Sequence, residues 1–309
     1  MPSSLPVRVW DVMWRTTVIA LAYSLGLVVA GDLAASFGWP LPTRSDGVLL
    51  FTVLGSACLG CALALIFWQT AWSSWSRFAI GACATAFTML STTIEGAFFA
   101  PTLVGSLRAL VLLDLLAALA VGGAAMLGPA RPAIPATASA TQATQTFSWR
   151  MRPWYSWVWR FALSAGSYLV FYWLYGALNY ALVTQPYYIS HHTALQTPSI
   201  PIVLAAEAAR GPLLVMAVLP LVLTTGLTRR QLAFSSAATL FIIGGVVPLL
   251  QQAGALPTFL LVASGWEIFF QNGSLALVIA WLLGHKLPEE SGATAYSRSA
   301  RPEEPSIAQ

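Results

Sequence analysis

Charged side chains stand inside several of the most apolar stretches of this chain. The stretch VLAAEAARGPLLVMAVLP, residues 203–220, carries an acid, a base and a Gly-Pro pair near its middle. Ionised groups in apolar surroundings serve charge recognition, proton coupling or acid–base chemistry, or they pair with one another to fix helix packing. The residues of this kind are Glu95, Arg108, Asp114, Glu207, Arg210 and Glu267.

Spacing predicts how these charges pair. Glu207 and Arg210 are three residues apart, so on a helix they share a face and meet without help from another segment. We expect Arg210 to pair with Glu207 or with Glu267. Glu95 and Arg108 are expected to form an outer polar pair, because both fall close to the same outer end of neighbouring spans.

Asp114 and Glu267 fall at about the same depth as Arg210, roughly 15–18 Å from the outer ends of their spans. An ionised group at that depth costs about 3 kcal/mol on insertion scales, so such residues normally face the bundle interior. Together with Glu207 they are the candidates for substrate binding or proton coupling. The same residues suit a buried polar knot that only fixes helix register, and the sequence leaves this alternative open.

A polar stripe runs along the span near 157–182. Tyr168, Tyr172, Tyr175 and Asn179 recur at spacings of four, three and four, which places three phenols and an amide on one helix face. These residues are candidates for lining a ligand cavity. Tyrosines that only bond to neighbouring helices would show the same spacing.

No motif identifies a reaction. The chain has no Gly-rich phosphate loop, no nucleophile elbow, and no cluster of His, Cys, Asp and Glu with the spacing of metal ligands. We therefore predict no catalytic residue, no metal site and no cofactor. An enzymatic role stays open, but the sequence does not favour it.

Composition identifies the class of protein that must position these residues. Of 309 residues, 57% are hydrophobic and 8% are charged, whereas about 25% of the residues in soluble domains are charged. A bilayer core needs about 20 apolar residues per helix. The sequence predicts an all-α, multi-pass membrane protein with about eight spans, near 13–36, 47–71, 77–99, 102–127, 157–182, 200–225, 231–251 and 257–284.

The distribution of basic residues predicts the orientation. If the eight spans alternate, most Arg and Lys residues fall on one side, and the other side has only Arg44 and Arg108. The positive-inside rule then places both termini in the cytoplasm of a bacterial-type inner membrane. The net charge of +4 is explained by these helix ends, so we expect the lipid bilayer, and not nucleic acid, as the partner.

Internal similarity predicts a duplication. A shift of 145 residues aligns Trp14, Arg15, Ala20, Tyr23, Gly31 and Leu33 with Trp159, Arg160, Ala165, Tyr168, Gly176 and Leu178. A shift of 156 aligns Pro101-Thr102, Leu119-Ala120, Ala124 and Leu127-Gly128 with Pro257-Thr258, Leu275-Ala276, Ala280 and Leu283-Gly284. Chance matching between apolar helices is the alternative. Two four-helix repeats with an even number of spans would share one orientation and a pseudo-two-fold axis along the membrane normal.

The resulting organisation has four parts. The first repeat covers 1–128, and a Pro/Ala/Thr-rich cytoplasmic linker covers 129–150. The second repeat covers 151–286, and a polar cytoplasmic tail, expected to be disordered, covers 287–309.

Three functions fit this sequence. The first is a transporter or binder of a small solute or lipid, with a polar site near the midplane that opens to the outer side. Gly211-Pro212 favours it by predicting an interrupted sixth span, because Pro lacks a backbone donor. The second is an accessory subunit of a membrane complex, with a protein partner or a second copy of the chain. The third is an enzyme acting on a lipid-soluble substrate.

Overall fold

A computed structural model describes residues 5–41, 47–69, 72–99, 105–127, 153–190, 198–224 and 227–284. Within these ranges the chain is helical, and the only β-type pairing is an isolated bridge between Ala253 and Leu256. The predicted linker, 129–150, and the predicted tail, 287–309, lie outside the described residues.

The helices are numbered in chain order. They are α1 (Leu5–Ser36), α2 (Val48–Gln69), α3 (Ser74–Phe99), α4 (Leu107–Met126), α5 (Trp154–Asn179), α6 (Gln185–Ser190), α7 (Ile200–Thr224), α8 (Arg229–Ala238), α9 (Val247–Gln251) and α10 (Thr258–Leu282). Two π-helical segments make longer continuous helices: Tyr180–Thr184 joins α5 to α6, and Thr239–Val246 joins α8 to α9. Asn272 of α10 donates to the carbonyl of Leu240 in the second π-helical segment, at 2.8 Å.

Seven helical segments are long and apolar enough to cross a membrane. They are Val9–Ser36, Leu49–Gln69, Ser74–Phe99, Leu107–Met126, Trp154–Tyr187, Ile200–Leu223 and Arg229–Gln251. The chain is therefore an all-helical, multi-pass membrane protein. The eighth predicted span corresponds to α10, which is 25 residues long. It is not among the seven because Glu267, Gln271 and Asn272 near its centre lower its mean hydropathy.

The long helices pack side by side in a closed ring. Following the ring, α1 contacts α2, and α2 contacts α9 and the π-helical segment Thr239–Val246. This segment and α8 both contact α10. Helix α10 then contacts α5, α5 contacts α7, α7 contacts α3, α3 contacts α4, and α4 returns to α1. The π-helical segment Thr239–Val246 also reaches across the ring to α3. Helix α3 and this segment therefore contact each other at the centre of the ring.

Large apolar side chains cover the outside of the ring, and its interior combines an apolar core with buried polar residues. Leu49 and Leu182 are each 77% exposed, and Trp154 is 76% exposed, whereas Glu207 is completely buried. Apolar side chains facing outward suit hydrocarbon surroundings, and polar side chains facing inward can bond to one another. The fold thus turns its chemistry toward the ring interior.

Glycines allow the closest helix crossings. At Gly60 of α2, an added Cβ would overlap the carbonyl oxygen of Thr16 in α1, and at Gly211 of α7 it would overlap that of Ala165 in α5. Without side chains at these positions the two backbones touch, which is a common way for membrane helices to associate.

Helix α7 is continuous, so the predicted interruption at Gly211-Pro212 is absent. Both Pro212 and Pro220 lie inside one helix, Ile200–Thr224. Membrane helices tolerate proline because neighbouring groups accommodate the backbone atoms that it leaves unbonded. Gly211 serves the crossing with α5 instead of a break in the helix.

Several arginines anchor one end of the ring. Arg77, near the start of α3, donates to the carbonyl of Met126 at the end of α4, at 3.1 Å. Arg160, near the start of α5, donates to the carbonyl of Leu282 at the end of α10. These bonds place the beginnings of α3 and α5 level with the ends of their ring neighbours. Helices α5 and α10 therefore run antiparallel, as α3 and α4 do.

The crossing glycines provide a test of this packing. Gly211→Ala and Gly60→Ala are each expected to lower the stability by about 1–3 kcal/mol, because the added methyl group forces the two backbones apart. Thermal unfolding of purified protein in detergent measures the effect. Gly166→Ala in α5 is the matched control, because a Cβ there meets nothing within 4 Å. A control variant that is destabilised as much as Gly211→Ala would contradict this explanation.

Candidate functional site

Helix α3 carries a run of alternating polar residues that face two neighbours. Ser91 and Glu95 are four residues apart and share the face toward α7, while Thr93 points to α4. Alternation places polar groups on two sides of one central helix. Helix α3 therefore connects the charged residues of α7 with the acid of α4.

Arg210 of α7 is the centre of the larger polar cluster. Its Nη1 donates to both carboxylate oxygens of Glu207, each at 2.9 Å, and its Nη2 lies 2.7 Å from Oε2 of Glu95. Its Nε donates to Oγ of Ser91 at 3.1 Å. The guanidinium carbon also lies 5.5 Å from the centre of the Tyr168 ring. All three nitrogens of this buried arginine are thus engaged.

Two of the predicted pairs have different outcomes. Arg210 pairs with Glu207, one of its two expected partners, and the described structure contains no ion pair between Arg210 and Glu267. Glu95 is expected to pair with Arg108, but in the structure it pairs with Arg210. The reason is geometric, because Glu95 faces α7 while Arg108 lies on the exposed side of α4.

Glu267 of α10 is held by amides. Asn179 of α5 donates to its Oε2 at 2.6 Å, and Gln271 of α10 donates to its Oε1 at 2.7 Å. Gly176 of α5 leaves room for this carboxylate, since an added Cβ would lie 3.1 Å from Oε1. Each carboxylate oxygen of Glu267 therefore has a neutral donor, and Glu267 forms no ion pair with any described residue.

The polar stripe of α5 faces two neighbouring helices. Tyr168 lies beneath Arg210 of α7, whereas the hydroxyl of Tyr175 is 3.1 Å from Oγ of Ser274 in α10, and Asn179 bonds to Glu267. Tyr172 lies between these two groups, close enough to interact electrostatically with Glu95, Glu207, Arg210 and Glu267. The stripe thus links the Arg210 cluster to Glu267.

Asp114 lies in a different part of the ring. Thr93 of α3 donates to its Oδ2 at 2.7 Å, and Tyr23 of α1 lies close enough to interact with it. The hydroxyl of Tyr23 accepts a hydrogen bond from Gln251 of α9 at 2.9 Å. Asp114 and Glu267 therefore have separate partners on opposite sides of α3 and α7. We place only Glu267 with the Arg210 cluster.

Three bonding partners in these clusters are not predictable from their sequence context. Ser91 and Gln271 resemble ordinary helix-packing residues, and Gln251 falls at the end of a span. One signal exists for Gln271, because it follows Glu267 by four residues and so shares its helix face. For Ser91 and Gln251 the bonding partner is on a distant helix, and no local pattern indicates it.

Two surface grooves are lined mainly by apolar residues and lie away from the Arg210 cluster. A groove of about 340 Å³ lies between α8 and α10, and one of about 380 Å³ lies between α4 and Trp39, which follows α1, with Arg108 in its lining. None of Glu95, Glu207, Arg210 and Glu267 lines either groove. Among the described residues no group of three or more His, Cys, Asp and Glu side chains is arranged to hold a metal ion.

The ion pairs of Arg210 predict a specific pattern of stability. Arg210→Met leaves Glu207 buried without a positive partner, and we expect a loss of about 3–5 kcal/mol. The double variant with Glu207→Gln is expected to recover part of that loss, because the uncompensated charge is removed. Thermal unfolding in detergent compares them, with Arg108→Met as the exposed control. Equal losses for Arg210→Met and Arg108→Met would rule out a structural role for these pairs.

Comparison with protein-family models, with curated proteins and with solved structures finds no match to this chain.

Proposed function

We propose that this protein binds or transports a small solute at a polar site within the membrane. The site consists of Glu95, Glu207 and Arg210, together with Glu267 and the tyrosines between them. The observation that carries the proposal is the excess of acid: Glu95 and Glu207 both form ion pairs with Arg210, and a third carboxylate, Glu267, lies nearby and bonds only to neutral amides in the described structure. A purely structural knot needs only balanced pairs, and a net buried charge is costly unless a further partner compensates it.

The packing of the ring supports two duplicated halves. Exchanging α1 with α5, α2 with α7, α3 with α8–α9 and α4 with α10 leaves the order of contacts around the ring unchanged. Each exchanged pair of crossings also has its glycine, Gly60 between α1 and α2 and Gly211 between α5 and α7. An internal two-fold relation accounts for both observations.

Two further positions fit this relation. Tyr23 and Tyr168, aligned by the shift of 145 residues, are both about 1% exposed. The shift of 156 residues aligns Thr88 with Gly244, and these two residues pack against each other where α3 meets the π-helical segment. Equivalent residues meet in this way on a two-fold axis. We therefore propose a pseudo-two-fold axis through this contact, along the membrane normal.

We propose that α10 crosses the membrane as an eighth span. It contacts α5 and α8 within the ring and ends beside Arg160 near the start of α5. The arginines at this end of the ring mark the cytoplasmic side under the positive-inside rule. Both termini are then cytoplasmic, and a bacterial-type inner membrane suits the all-helical fold.

Access from the outer side is supported by Glu95. It lies on the last turns of α3, at the opposite end from Arg77, and 35% of its side chain is exposed. Glu207, by contrast, is completely enclosed. A solute arriving from outside would meet Glu95 first.

A second candidate function is a subunit of a membrane complex. Trp266, Phe269 and Phe270 of α10 form a stacked and edge-packed aromatic group with Phe241 and Tyr175. The first three rings are between 45% and 63% exposed. Such an outward aromatic face suits contact with another membrane protein or with a second copy of this chain.

Reporter fusions test the eighth span. Green fluorescent protein at either terminus of the full chain is expected to fluoresce in a bacterial host, and alkaline phosphatase at either terminus to be inactive, because both termini lie in the cytoplasm. If α10 does not cross the membrane, the two termini will lie on opposite sides. In that case the phosphatase fusion at one terminus will be active.

Charge-displacement recording tests the proposed function. Proteoliposomes on a solid-supported membrane are exposed to amines, amino acids, carboxylic acids and sugars, in concentration jumps. At least one class is expected to give a current or to compete with one, and Glu95→Gln and Glu267→Gln are expected to reduce the response severalfold. Asp32→Asn is the matched control, because Asp32 lies on the exposed face of α1.

The contrary outcome is equally specific. If no class of solute produces a response and the native protein purifies only within a larger assembly, the transport proposal is wrong. The aromatic face of α10 would then become the functional surface.

A further inference from the structure

We infer that the solute is a small organic cation, whose ammonium or guanidinium group binds between Glu95 and Glu267 beside Tyr172. This inference rests on the proposed function and names the chemical class of its ligand. Three observations carry it: the charge balance of the cluster, the engagement of Arg210, and an unbonded buried phenol.

The charge balance of the ionised cluster favours a positive partner. Glu95, Glu207 and Glu267 lie close enough to influence one another, and Arg210 is the only basic side chain in the described structure that forms an ion pair with any of them. When all three carboxylates are ionised, Arg210 compensates one of the three negative charges. A ligand carrying a positive charge would compensate another, and this would give the site its selectivity.

The engagement of Arg210 argues against an anionic ligand. Its Nε bonds to Ser91, its Nη1 to Glu207 and its Nη2 to Glu95. An anion would have to displace Glu95 or Glu207 from the guanidinium and leave that carboxylate buried without a partner. A cationic ligand, by contrast, would meet carboxylates that already need compensation.

Arg210 also shows how this site holds a cation. Its guanidinium lies between two carboxylates and 5.5 Å from the centre of the Tyr168 ring. Guanidinium and ammonium groups are attracted both to carboxylates and to aromatic faces. Glu267, Glu95 and Tyr172, which interact electrostatically, supply the same kinds of group. A second cation would be held by the same chemistry.

Tyr168 supplies an unbonded polar group inside the cluster. It is 1% exposed, and its hydroxyl interacts electrostatically with Glu95, Glu207 and Tyr172. Within the described part of the chain this hydroxyl takes part in no hydrogen bond. Its equivalent in the other half, Tyr23, is bonded to Gln251. Buried hydroxyls are normally bonded, so the Tyr168 hydroxyl provides an acceptor for an N–H group of the ligand.

The comparison of the two halves indicates that this asymmetry is functional. The shift of 156 residues places the neutral Gln251 opposite Glu95. Around Tyr23, Gln251 bonds to the tyrosine, and Thr93 bonds to Asp114. That is what a structural polar cluster in this fold looks like. Around Tyr168 there are more acids and an unbonded phenol.

Binding of small probes tests the inference. Purified full-length protein in lipid nanodiscs is heated with ethylammonium, methylguanidinium, propionamide or propionate at matched concentrations and neutral pH. The two cations are expected to raise the unfolding temperature, and the neutral and anionic probes are not. Glu95→Gln and Glu267→Gln are each expected to weaken the apparent affinity for the cations about tenfold, which corresponds to one lost charged contact. Asp32→Asn is expected to leave it unchanged.

The alternatives are distinguishable. Stabilisation by propionate or propionamide that depends on Glu267 would overturn the cation assignment and leave the proposed function standing. A response to pH steps alone, with none to either cation, would overturn it in favour of a proton site. If neither these probes nor any class in the charge-displacement panel acts on the protein, the proposed function itself fails. Unfolding temperatures of the variants without probe show whether each is folded.

Discussion

The compensation of one buried guanidinium organises the centre of this protein. Arg210 can be buried only because Glu207, Glu95 and Ser91 receive its hydrogen bonds, and these partners lie on two helices. Removing any of them leaves a charged group in a medium that solvates it poorly. The rotation of α3 against α7 is therefore fixed by this bonding. Lipid-facing positions impose no such restriction, because one apolar side chain there replaces another at little cost.

The proposed two-fold relation would give this protein a repeated scaffold that carries two different polar clusters. Both halves have a buried tyrosine, a glycine at the crossing and an acid on the last helix. The polar groups around Tyr23 and Asp114 bond mainly to neutral partners, whereas those around Tyr168 collect charge at Arg210. The packing tolerates both arrangements because the crossings that close the ring lie at glycines and small residues. Sequence changes at the polar positions can thus alter the chemistry without altering the ring.

Much of the fold is predictable because hydropathy reflects the free energy that a helix gains on entering a bilayer. Seven of the predicted spans correspond to apolar helices, and the Glu207–Arg210 pair follows from a spacing of three residues. Other features depend on the rotation of distant helices, which no local pattern encodes. The pairing of Glu95 with Arg210 is one example, and the amide bonds to Glu267 from Asn179 are another. The break predicted at Gly211-Pro212 is wrong, because a small residue is needed at a helix crossing as well as at a break, and Gly211 lies at a crossing.

The π-helical segment Thr239–Val246 has a consequence for the phase of the helix that follows it. In an α-helix each residue turns the chain by about 100°, so a segment with wider turns changes the direction in which every later side chain points. Gln251 lies beyond this segment and reaches Tyr23 across the ring. Its direction is therefore set by where the wide turns lie, and Asn272 holds them there through the carbonyl of Leu240. If the wide turns moved along the helix, Gln251 would turn away from Tyr23 without any change in the ring of helices. The position of the wide turns thus decides which way the later side chains point, whichever residues stand there.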